Sequence, residues 1–456
     1  MEALPSLITP NTIVIAGAGI AGVATARALS LVGVDDFVVL ERSSKPRAEG
    51  TSIGLWTNAW RALDALGVGD ELRESWPRMH GVELFDSRGK KLREIAIDDC
   101  TGAPHEVRGV GRAALVRALA DKIPKGKMAF GCTVVSARDV SSESGGGGGG
   151  GGVEIEVEGL ASPLRCRALV AADGARSTLV QKAIAASSPS SSSSASASSS
   201  ALLKPLRYVG YTAYRGIASF PEGEVPLILP RDRFRVHFGA GVRAGIVPLG
   251  LHAGGVPGMS GEQGEAPAGP SLERGPKEAL FYWFTCQNDP RGDETRVTDV
   301  GEMRADAARA VSSWDLPATG VEVLQNASAD ATWSRAAISD RWLESGRSYG
   351  TGAITAAGDA AHPMTPNAGQ GGCVGLEDAV ELARALRAEG DLAGPLREVE
   401  ARRATRARRV QVKSFAIGFG GQLDLPFFPA FRDLLLSSVY PIEEFLDLAD
   451  YDCGGL

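Results

Sequence analysis

Three glycines and one carboxylate near the N-terminus have the spacing of a dinucleotide-binding turn. Residues 12–42 read TIVIAGAGIAGVATARALSLVGVDDFVVLER, in which Gly17, Gly19 and Gly22 form the pattern G-x-G-x-x-G, and Glu41 follows Gly22 by 19 residues. The first glycine permits a tight turn, the second lets a pyrophosphate approach the backbone, and the third lets a helix pack close to a strand. A carboxylate at this distance can accept hydrogen bonds from ribose hydroxyls.

The elements around this turn support the same chemistry. The apolar run 13–16 predicts a buried parallel strand, residues 21–32 predict a helix, and residues 37–40 predict a second strand that ends at Glu41. Phosphates would lie at the helix N-terminus, where unpaired N–H groups and the helix dipole favour negative charge. A glycine pattern alone could be only a structural turn, but a strand, helix, strand and acid in register favour dinucleotide binding.

Two later acid–glycine pairs also follow apolar strand patterns. Asp173 and Gly174 follow residues 168–172, and taken alone they fit a turn and a binding site equally well. Asp359 follows residues 353–357 and precedes the glycine-rich run NAGQGG at 367–372. Glycines there could approach a flat ring closely, and a helix N-terminus after them could stabilise a developing anion. This arrangement predicts a flavin, with the Asp359 carboxylate toward the ribityl hydroxyls and backbone N–H groups toward the pyrimidine edge.

Length, charge and cysteine use limit the class of protein. A chain of 456 residues predicts two closely packed domains, and its net charge of −7 argues against a nucleic-acid partner. The six cysteines are scattered, which predicts free thiols and no metal site. The first 11 residues lack the pattern of a secretory signal, and no run of eighteen apolar residues occurs, so we expect a cytoplasmic protein without a membrane span. The basic helix predicted at 396–411 favours a solvated face, with peripheral membrane contact as the alternative.

Low-complexity and alternating segments indicate the remaining organisation. The glycine run 145–152 predicts a flexible extension between paired strands at 128–140 and 153–157, and the Ser/Ala run 187–201 predicts a disordered linker. The Gly/Pro-rich run 252–276 predicts a loop. Alternating apolar and polar residues predict an antiparallel sheet from segments 208–220, 233–238, 242–249 and 280–286. The apolar tail 415–448 is expected to pack on the body of the protein.

Three motifs in this order, GAGIAG, DGARS and GDAAHPMTPNAGQGGCVGLEDA, resemble the class A flavoprotein monooxygenases. The resemblance covers nearly the whole chain and is nearest to plant monooxygenases related to zeaxanthin epoxidase and to FAD-dependent urate hydroxylase. It implies an α/β fold of the p-hydroxybenzoate hydroxylase type, a three-layer Rossmann-like FAD-binding domain with an inserted antiparallel β-sheet substrate domain. The implied segments are 10–75, 106–186 and 346–395 for the FAD-binding domain, 76–105 and 202–345 for the substrate domain, 187–201 for the linker and 396–456 for a C-terminal helical region.

The resemblance also implies which residues hold FAD. Glu41 and Arg42 would lie at the adenosine, the backbone of Val134 at the adenine, Arg112 at the phosphates, and Asp359 at the ribityl or pyrophosphate part. Asp173 and Gly174 are associated in the family with both FAD and NAD(P)H. The complete set expected at the cofactor is Gly17, Gly19, Ile20, Ala21, Gly22, Glu41, Arg42, Ser52, Arg112, Val134, Asp173, Gly174, Asp359, Pro366, Gly369, Gly371 and Gly372.

The implied reaction is a monooxygenation. NAD(P)H would act as a transient co-substrate that reduces FAD, O₂ would give the flavin C4a-hydroperoxide, and one oxygen atom would pass to a small aromatic, heteroaromatic or olefinic compound. By local pattern, Arg243, Tyr282 and Asn367 match the substrate-side Arg, Tyr and Asp of the urate-hydroxylating relatives. Asn367 departs from that pattern, and because an amide cannot act as a general base, urate is doubtful as the substrate.

Several alternatives stay open from the sequence. Arg243 fits an exposed strand residue as well as a substrate ligand, and Tyr282 fits a core aromatic better than a site residue. Arg215 and His237 have weaker claims, and His362 is expected to orient the backbone beside the flavin. A flavin-binding protein with a regulatory or redox role and little turnover is the main alternative function, and a two-electron oxidase or reductase is another. Either a monomer or a homodimer fits.

Overall fold

The computed structural model describes residues 4–45, 51–102, 104–141, 152–187, 203–253, 277–290, 292, 297–439 and 442–456. The glycine run up to residue 151, the Ser/Ala run after residue 187 and the Gly/Pro-rich run after residue 253 lie outside the described residues. The expectations for those three runs therefore stay predictions.

The described chain alternates short buried strands with helices before its long antiparallel strands. The strands are β1 Ile13–Ala16, β2 Phe37–Glu41, β3 Ser52–Trp56, β4 Gly81–Asp86, β5 Lys91–Ala96, β6 Val107–Gly111, β7 Met128–Phe130, β8 Val134–Asp139, β9 Val153–Val157, β10 Leu164–Cys166, β11 Ala168–Ala171, β12 Arg207–Pro221, β13 Arg233–Phe238, β14 Val242–Ala253, β15 Lys277–Asn288, β16 Ser334–Asp340 and β17 Ile354–Ala356. The helices are α1 Leu4–Leu7, α2 Ile20–Leu31, α3 Thr57–Ala65, α4 Gly69–Ser75, α5 Arg112–Ala120, α6 Leu179–Ser187, α7 Val300–Ala310, α8 Leu316–Thr319, α9 Val321–Ala327, α10 Gly371–Leu386, α11 Ala393–Gln422, α12 Phe428–Val439 and α13 Ile442–Ala449.

A five-stranded parallel sheet carries the N-terminal turn. Its strand order is β17-β11-β1-β2-β7, so β1 lies in the centre, with Ile13 opposite both Ala168 and Phe37. All four side chains of β1 are buried, as a strand covered on both faces requires. The carboxyl ends of β1, β11 and β17 therefore lie side by side, which is the edge where ligands bind in open α/β sheets.

Alternate side chains of this sheet face two different layers. Ile13 and Ile15 pack into one apolar cluster with α2 and α10, whereas Val14 and Ala16 pack into another with β9, α6 and α11. This division follows from the two-residue repeat of a strand. The sheet is thus the middle of three layers, and the predicted Rossmann-like architecture is confirmed.

A seven-stranded, mainly antiparallel sheet forms the second large unit, in the order β16-β12-β15-β14-β13-β4-β5. One face packs on α7 and α9 through an apolar cluster that includes Tyr214 and Trp283. The other face carries Tyr282, Arg243 and Arg215, because these residues alternate with the packed ones along their strands. Smaller sheets are formed by β10-β9-β8 and by β3-β6.

Two elements differ from the sequence expectation. The segment 128–140 is not one strand, because β7 joins the parallel sheet beside β2 while β8 pairs with β9. The basic helix predicted to end at residue 411 continues to Gln422 as α11. The domain boundaries expected from the sequence stay predictions.

Candidate active site

The turn after β1 has the shape of a phosphate cradle. Gly17 has φ +109°, and a Cβ atom there would lie 2.5 Å from the carbonyl oxygen of Ala172. A Cβ atom at Gly22 would lie 1.9 Å from the carbonyl oxygen of Gly17, so both positions require glycine. Gly19 has open space around it and precedes Ile20 and Ala21 at the start of α2, where no side chain caps the helix. An anion could therefore approach these backbone N–H groups closely.

A carboxylate at the end of β2 lies beside this turn. Glu41 accepts hydrogen bonds from the backbone N–H of Ala18 at 2.8 Å and of Ser43 at 2.9 Å. The backbone N–H of Cys132 bonds to the carbonyl oxygen of Glu41, which brings the start of β8 at Val134 near it. Arg42 is exposed next to Glu41. A ribose and an adenine could be held between these two segments.

The second acid–glycine pair adjoins the same turn. A Cβ atom at Gly17 would lie 2.9 Å from the Cα atom of Asp173, and Gly174 has φ +94°. Burial raises the pKa of Asp173, while a hydrogen bond with Ser177 and the charges of Arg42 and Arg341 oppose that shift. The pair lies at the carboxyl edge of the parallel sheet, beside the glycine turn, and its part in binding stays a prediction.

The third acid, Asp359, lies in a short 3-10 turn after β17. Its side chain is open to solvent, yet burial among protein groups raises its pKa above the usual value, while His362 and Arg112 lower it. An accessible carboxylate that is surrounded by protein groups lies in a cleft. Arg112 begins α5 and is exposed, and the Ser52 hydroxyl donates to the carbonyl oxygen of Val110 just before it. These groups could hold the hydroxyls and phosphates of a long ligand.

The glycine-rich loop, residues 366–372, follows in the same cleft. Pro366 begins a short 3-10 turn, and Gly369 closes it with φ +61°, its Cβ position 3.1 Å from the indole nitrogen of Trp56. The Cβ position of Gly371 is 4.0 Å from Asp359 Oδ1, and that of Gly372 is 2.2 Å from Ile53 Cδ1. No side chain caps the first turn of α10 at Gly371 and Gly372, so its N–H groups can face a ring that becomes negatively charged.

The glycine-rich loop meets the seven-stranded sheet through one amide. Asn367 Oδ1 accepts hydrogen bonds from Arg243 Nη2 at 2.5 Å and from the Tyr211 hydroxyl at 3.1 Å, while its Nδ2 donates to the carbonyl oxygen of Ser414 at 2.9 Å. Arg243 is only 4% exposed, so it is not the surface strand residue that its sequence also allowed. Tyr282 lies on the same sheet face but interacts with Arg215 and not with Asn367. Burial raises the pKa of Tyr282 to about 12.

The family described as "FAD binding domain" matches residues 11–231 and 283–411. Monooxygenase 1 of Arabidopsis thaliana is 30% identical over 384 residues, with 82% of this chain and 78% of that protein covered. The chain belongs to this family of FAD-dependent monooxygenases. The aurachin C monooxygenase/isomerase of Stigmatella aurantiaca is 28% identical, with 94% of each chain covered. The structure of Klebsiella pneumoniae HpxO complexed with FAD and uric acid aligns with a TM-score of 0.72 at 24% identity, over 97% of this chain and 96% of that chain.

The glycine turn, Glu41, the exposed Asp359 and the two uncapped helix starts fit FAD from its adenosine end to its ring end. Within the described part of this monooxygenase, no group of three His, Cys, Asp or Glu side chains is placed to hold a metal ion. Among the same residues, no helix has the length and apolarity to cross a membrane.

A buried ion cluster supports the cofactor side of the monooxygenase. Asp378 of α10 bonds to His362 Nε2 at 2.6 Å and accepts hydrogen bonds from the Gly358 N–H at 2.8 Å and from Arg403 Nε at 2.7 Å. Burial opposes ionisation of Asp378, but His362 and Arg403 outweigh it and hold its pKa well below the usual range. The cluster ties the turn at Asp359 to α10 and α11. That His362 orients the backbone beside the flavin stays a prediction.

Two residues of the substrate side did not stand out in the sequence. Tyr211 and Ser414 both bond to Asn367. Arg215, which had only a weak claim from the sequence, lies on the same sheet face as Tyr282. Alternation along β12 places Tyr211 and Arg215 on one face of the sheet, so the sequence contained a signal that could have identified Tyr211. Nothing in the sequence indicated Ser414. His237 lies on the opposite face beside Phe85, where burial lowers its pKa to about 4, and it does not reach the site.

Proposed function

We propose that this FAD-dependent monooxygenase takes electrons from NAD(P)H and inserts one oxygen atom of O₂ into a small aromatic, heteroaromatic or olefinic substrate. The observation that carries the proposal is the contact of Asn367, in the glycine-rich loop, with Arg243 and Tyr211 on the sheet. Because that loop borders the ring end of the cofactor cleft, a substrate on this sheet face would lie against the reactive ring.

The cofactor would lie along the residues already described. Glu41, Arg42 and Val134 would contact the adenosine, and Asp359 and Arg112 the ribityl chain and phosphates. The backbone at Gly371 and Gly372 would face the ring. The remaining contacts would come from Gly17, Gly19, Ile20, Ala21, Gly22, Ser52, Asp173, Gly174, Pro366 and Gly369. When bound, FAD supplies the electron transfer and oxygen chemistry, and the protein supplies position and exclusion of water.

The substrate-side residues would bind and orient a ligand, and none of them would act as a general base. The Arg243 guanidinium stays charged and can hold a negatively charged oxygen. Tyr282, whose pKa burial raises to about 12, stays protonated at neutral pH and can donate a hydrogen bond. Asn367 accepts from Arg243 and Tyr211 and donates to Ser414, so it orients Arg243. A substrate that needs an enzymic carboxylate base at this place, as the urate pattern would, fits this arrangement poorly.

The test is a visible spectrum of the purified protein followed by NADH and NADPH oxidation with phenols, purines and olefins. A flavin spectrum, substrate-stimulated oxidation and a product that carries ¹⁸O from ¹⁸O₂ are expected. A colourless protein that does not bind added FAD would contradict the proposed function, because the reaction depends on FAD. Bound flavin with no stimulation by any compound would favour a redox or regulatory role with little turnover, and a product without ¹⁸O would favour an oxidase or reductase.

A further inference from the structure

Two guanidinium groups lie on the sheet face that is turned toward the glycine-rich loop. Arg243 on β14 is opposite Cys286 of β15, and Arg215 on β12 is opposite Phe284 of β15. Opposite residues of paired strands point to the same face, so both arginines project to one side from the two strands that flank β15. Among the described residues, no carboxylate forms an ion pair with either group.

Their polar atoms are only partly satisfied within the protein. Arg243 contacts Asn367 Oδ1 and, at 3.7 Å, Cys286 Sγ, and the Arg215 charge acts on the Tyr282 hydroxyl. The Nε atoms of both arginines are buried without a hydrogen-bond partner, and so is Oγ of Ser334, which is paired with Arg215 across the sheet. Buried charge without a counter-ion is costly, and several such groups on one face indicate an anionic ligand.

A flat apolar surface separates the two arginines. The ring of Phe284 lies over Gly245, where a Cβ atom would be 2.2 Å from the ring, so the glycine leaves room for it. The guanidinium carbon of Arg243 is 5.6 Å from the centroid of the same ring. An aromatic ligand could stack on Phe284 while its negative oxygens reach the guanidinium groups.

We propose that Arg215 and Arg243 form a two-point anion site that selects planar aromatic acids, with Ser334 and Tyr282 as additional hydrogen-bond partners. The inference rests on the proposed function and narrows its substrate class. The Arg215 charge acts on the Tyr282 hydroxyl, which stays protonated at neutral pH and can donate its hydrogen to the ligand. Arg215 thereby becomes a specificity-determining residue, because it fixes which edge of the ring points toward the glycine-rich loop.

The first test uses the FAD-bound enzyme and a matched pair of probes, 2-naphthoate and 2-naphthamide, titrated by the perturbation of flavin absorbance. The carboxylate should bind at least about tenfold more tightly than the amide, as a charge-assisted hydrogen bond predicts. Arg215→Gln should remove most of this preference. The control Arg231→Gln changes an exposed arginine before β13 and should leave it intact. Equal affinities for the two probes, or an unchanged preference in Arg215→Gln, would overturn the proposal.

The second test measures thermal unfolding and needs neither turnover nor flavin. Arg215→Met keeps apolar volume but removes a half-buried charge without a counter-ion, so it should raise Tm of the ligand-free protein. The same variant should lose the increase in Tm that 2-naphthoate gives the original protein. A lower Tm together with an intact response to 2-naphthoate would make Arg215 structural and refute the site. Normal flavin binding and oxygenation without any anion preference would refute this inference alone, whereas missing flavin or missing oxygenated product would refute the proposed function.

Discussion

Asn367 accepts a hydrogen bond from Arg243 across the junction of the glycine-rich loop and the seven-stranded sheet, with 2.5 Å between Oδ1 and Nη2. The other end of the same amide donates to the carbonyl oxygen of Ser414 at 2.9 Å. An aspartate could accept from Arg243 but could not donate to Ser414. The amide therefore suits this junction, and it leaves Arg243 without a neutralising carboxylate.

Asn367→Asp should restore the acid of the urate-hydroxylating relatives without creating a base. The new carboxylate would pair with Arg243, which keeps its pKa low, and the carbonyl of Ser414 would lose its donor at a cost of about 1–3 kcal/mol. We expect a less stable protein with normal FAD content, weaker binding of aromatic carboxylates and no gain of urate oxidation. Urea unfolding, flavin content and oxidation assays measure these effects. Strong urate-dependent NAD(P)H oxidation in the variant would contradict the argument.

The glycine turn offers a matched pair of substitutions that separates folding from FAD binding. Gly19→Ala adds a methyl group in open space at an ordinary φ of −76°, so the stability of the FAD-free protein should change by less than about 0.5 kcal/mol. FAD affinity should fall, because the methyl group would meet the pyrophosphate. Gly17→Ala forces a left-handed backbone and a clash with Ala172, so it should cost about 1–3 kcal/mol.

Equilibrium unfolding of the FAD-free proteins and titration with FAD measure the two effects. If Gly19→Ala unfolded the protein as Gly17→Ala does, the open space at Gly19 would have a structural role, and its assignment to the pyrophosphate would be lost.

The cofactor side was predictable because its signals are local. The strand, turn, helix, strand and acid from residue 13 to Glu41 are contiguous, and α2 begins within one residue of its predicted start. The substrate side depends on contacts between distant segments. The partners of Asn367 come from β12, β14 and α11, which no short-range pattern brings together.

The length of helix α11 was also not predictable from a short-range sequence pattern. The sequence predicted a helix that ends at residue 411, yet α11 runs to Gln422. A Cβ atom at Gly418 would lie 1.9 Å from Asn367 Nδ2, and one at Gly421 would lie 3.1 Å from the ring of Phe238. The glycines therefore permit close packing in the last turns of the helix, which only the tertiary structure reveals.

Asp359→Asn should raise the stability of the FAD-free protein and lower its affinity for FAD. Because burial raises the pKa of Asp359 in the folded protein, its charged form destabilises the fold once the pH exceeds the unfolded pKa of about 3.9. The variant should therefore have a higher Tm than the original FAD-free protein at pH 7, and the difference should disappear below about pH 4. FAD binding should weaken, because a carboxylate facing the cleft is lost. Thermal unfolding across this pH range is the measurement, and a lower Tm at pH 7 would contradict it.

Asp378→Asn should be strongly destabilising, because Asp378 joins His362, Arg403 and the Gly358 N–H in a buried cluster. Removing its charge leaves Arg403 less compensated, and breaking a buried pair costs about 3–5 kcal/mol. The pKa of Asp378 is depressed in the folded protein, so its stabilising effect is complete above about pH 4 and is lost as the pH falls below it.

The destabilisation in Asp378→Asn should thus be large at pH 7 and shrink in acid, opposite in sign to the effect of Asp359→Asn. The control is Asp70→Asn, which changes a fully exposed carboxylate and should alter the free energy of unfolding by less than about 0.5 kcal/mol. Urea unfolding at pH 7 and at about pH 2.5, which is well below the unfolded pKa of aspartate, measures both variants. Because the cluster holds the turn of Asp359 against α10, FAD affinity should also fall in Asp378→Asn, and normal affinity would show that the cluster supports the fold without positioning the cofactor site.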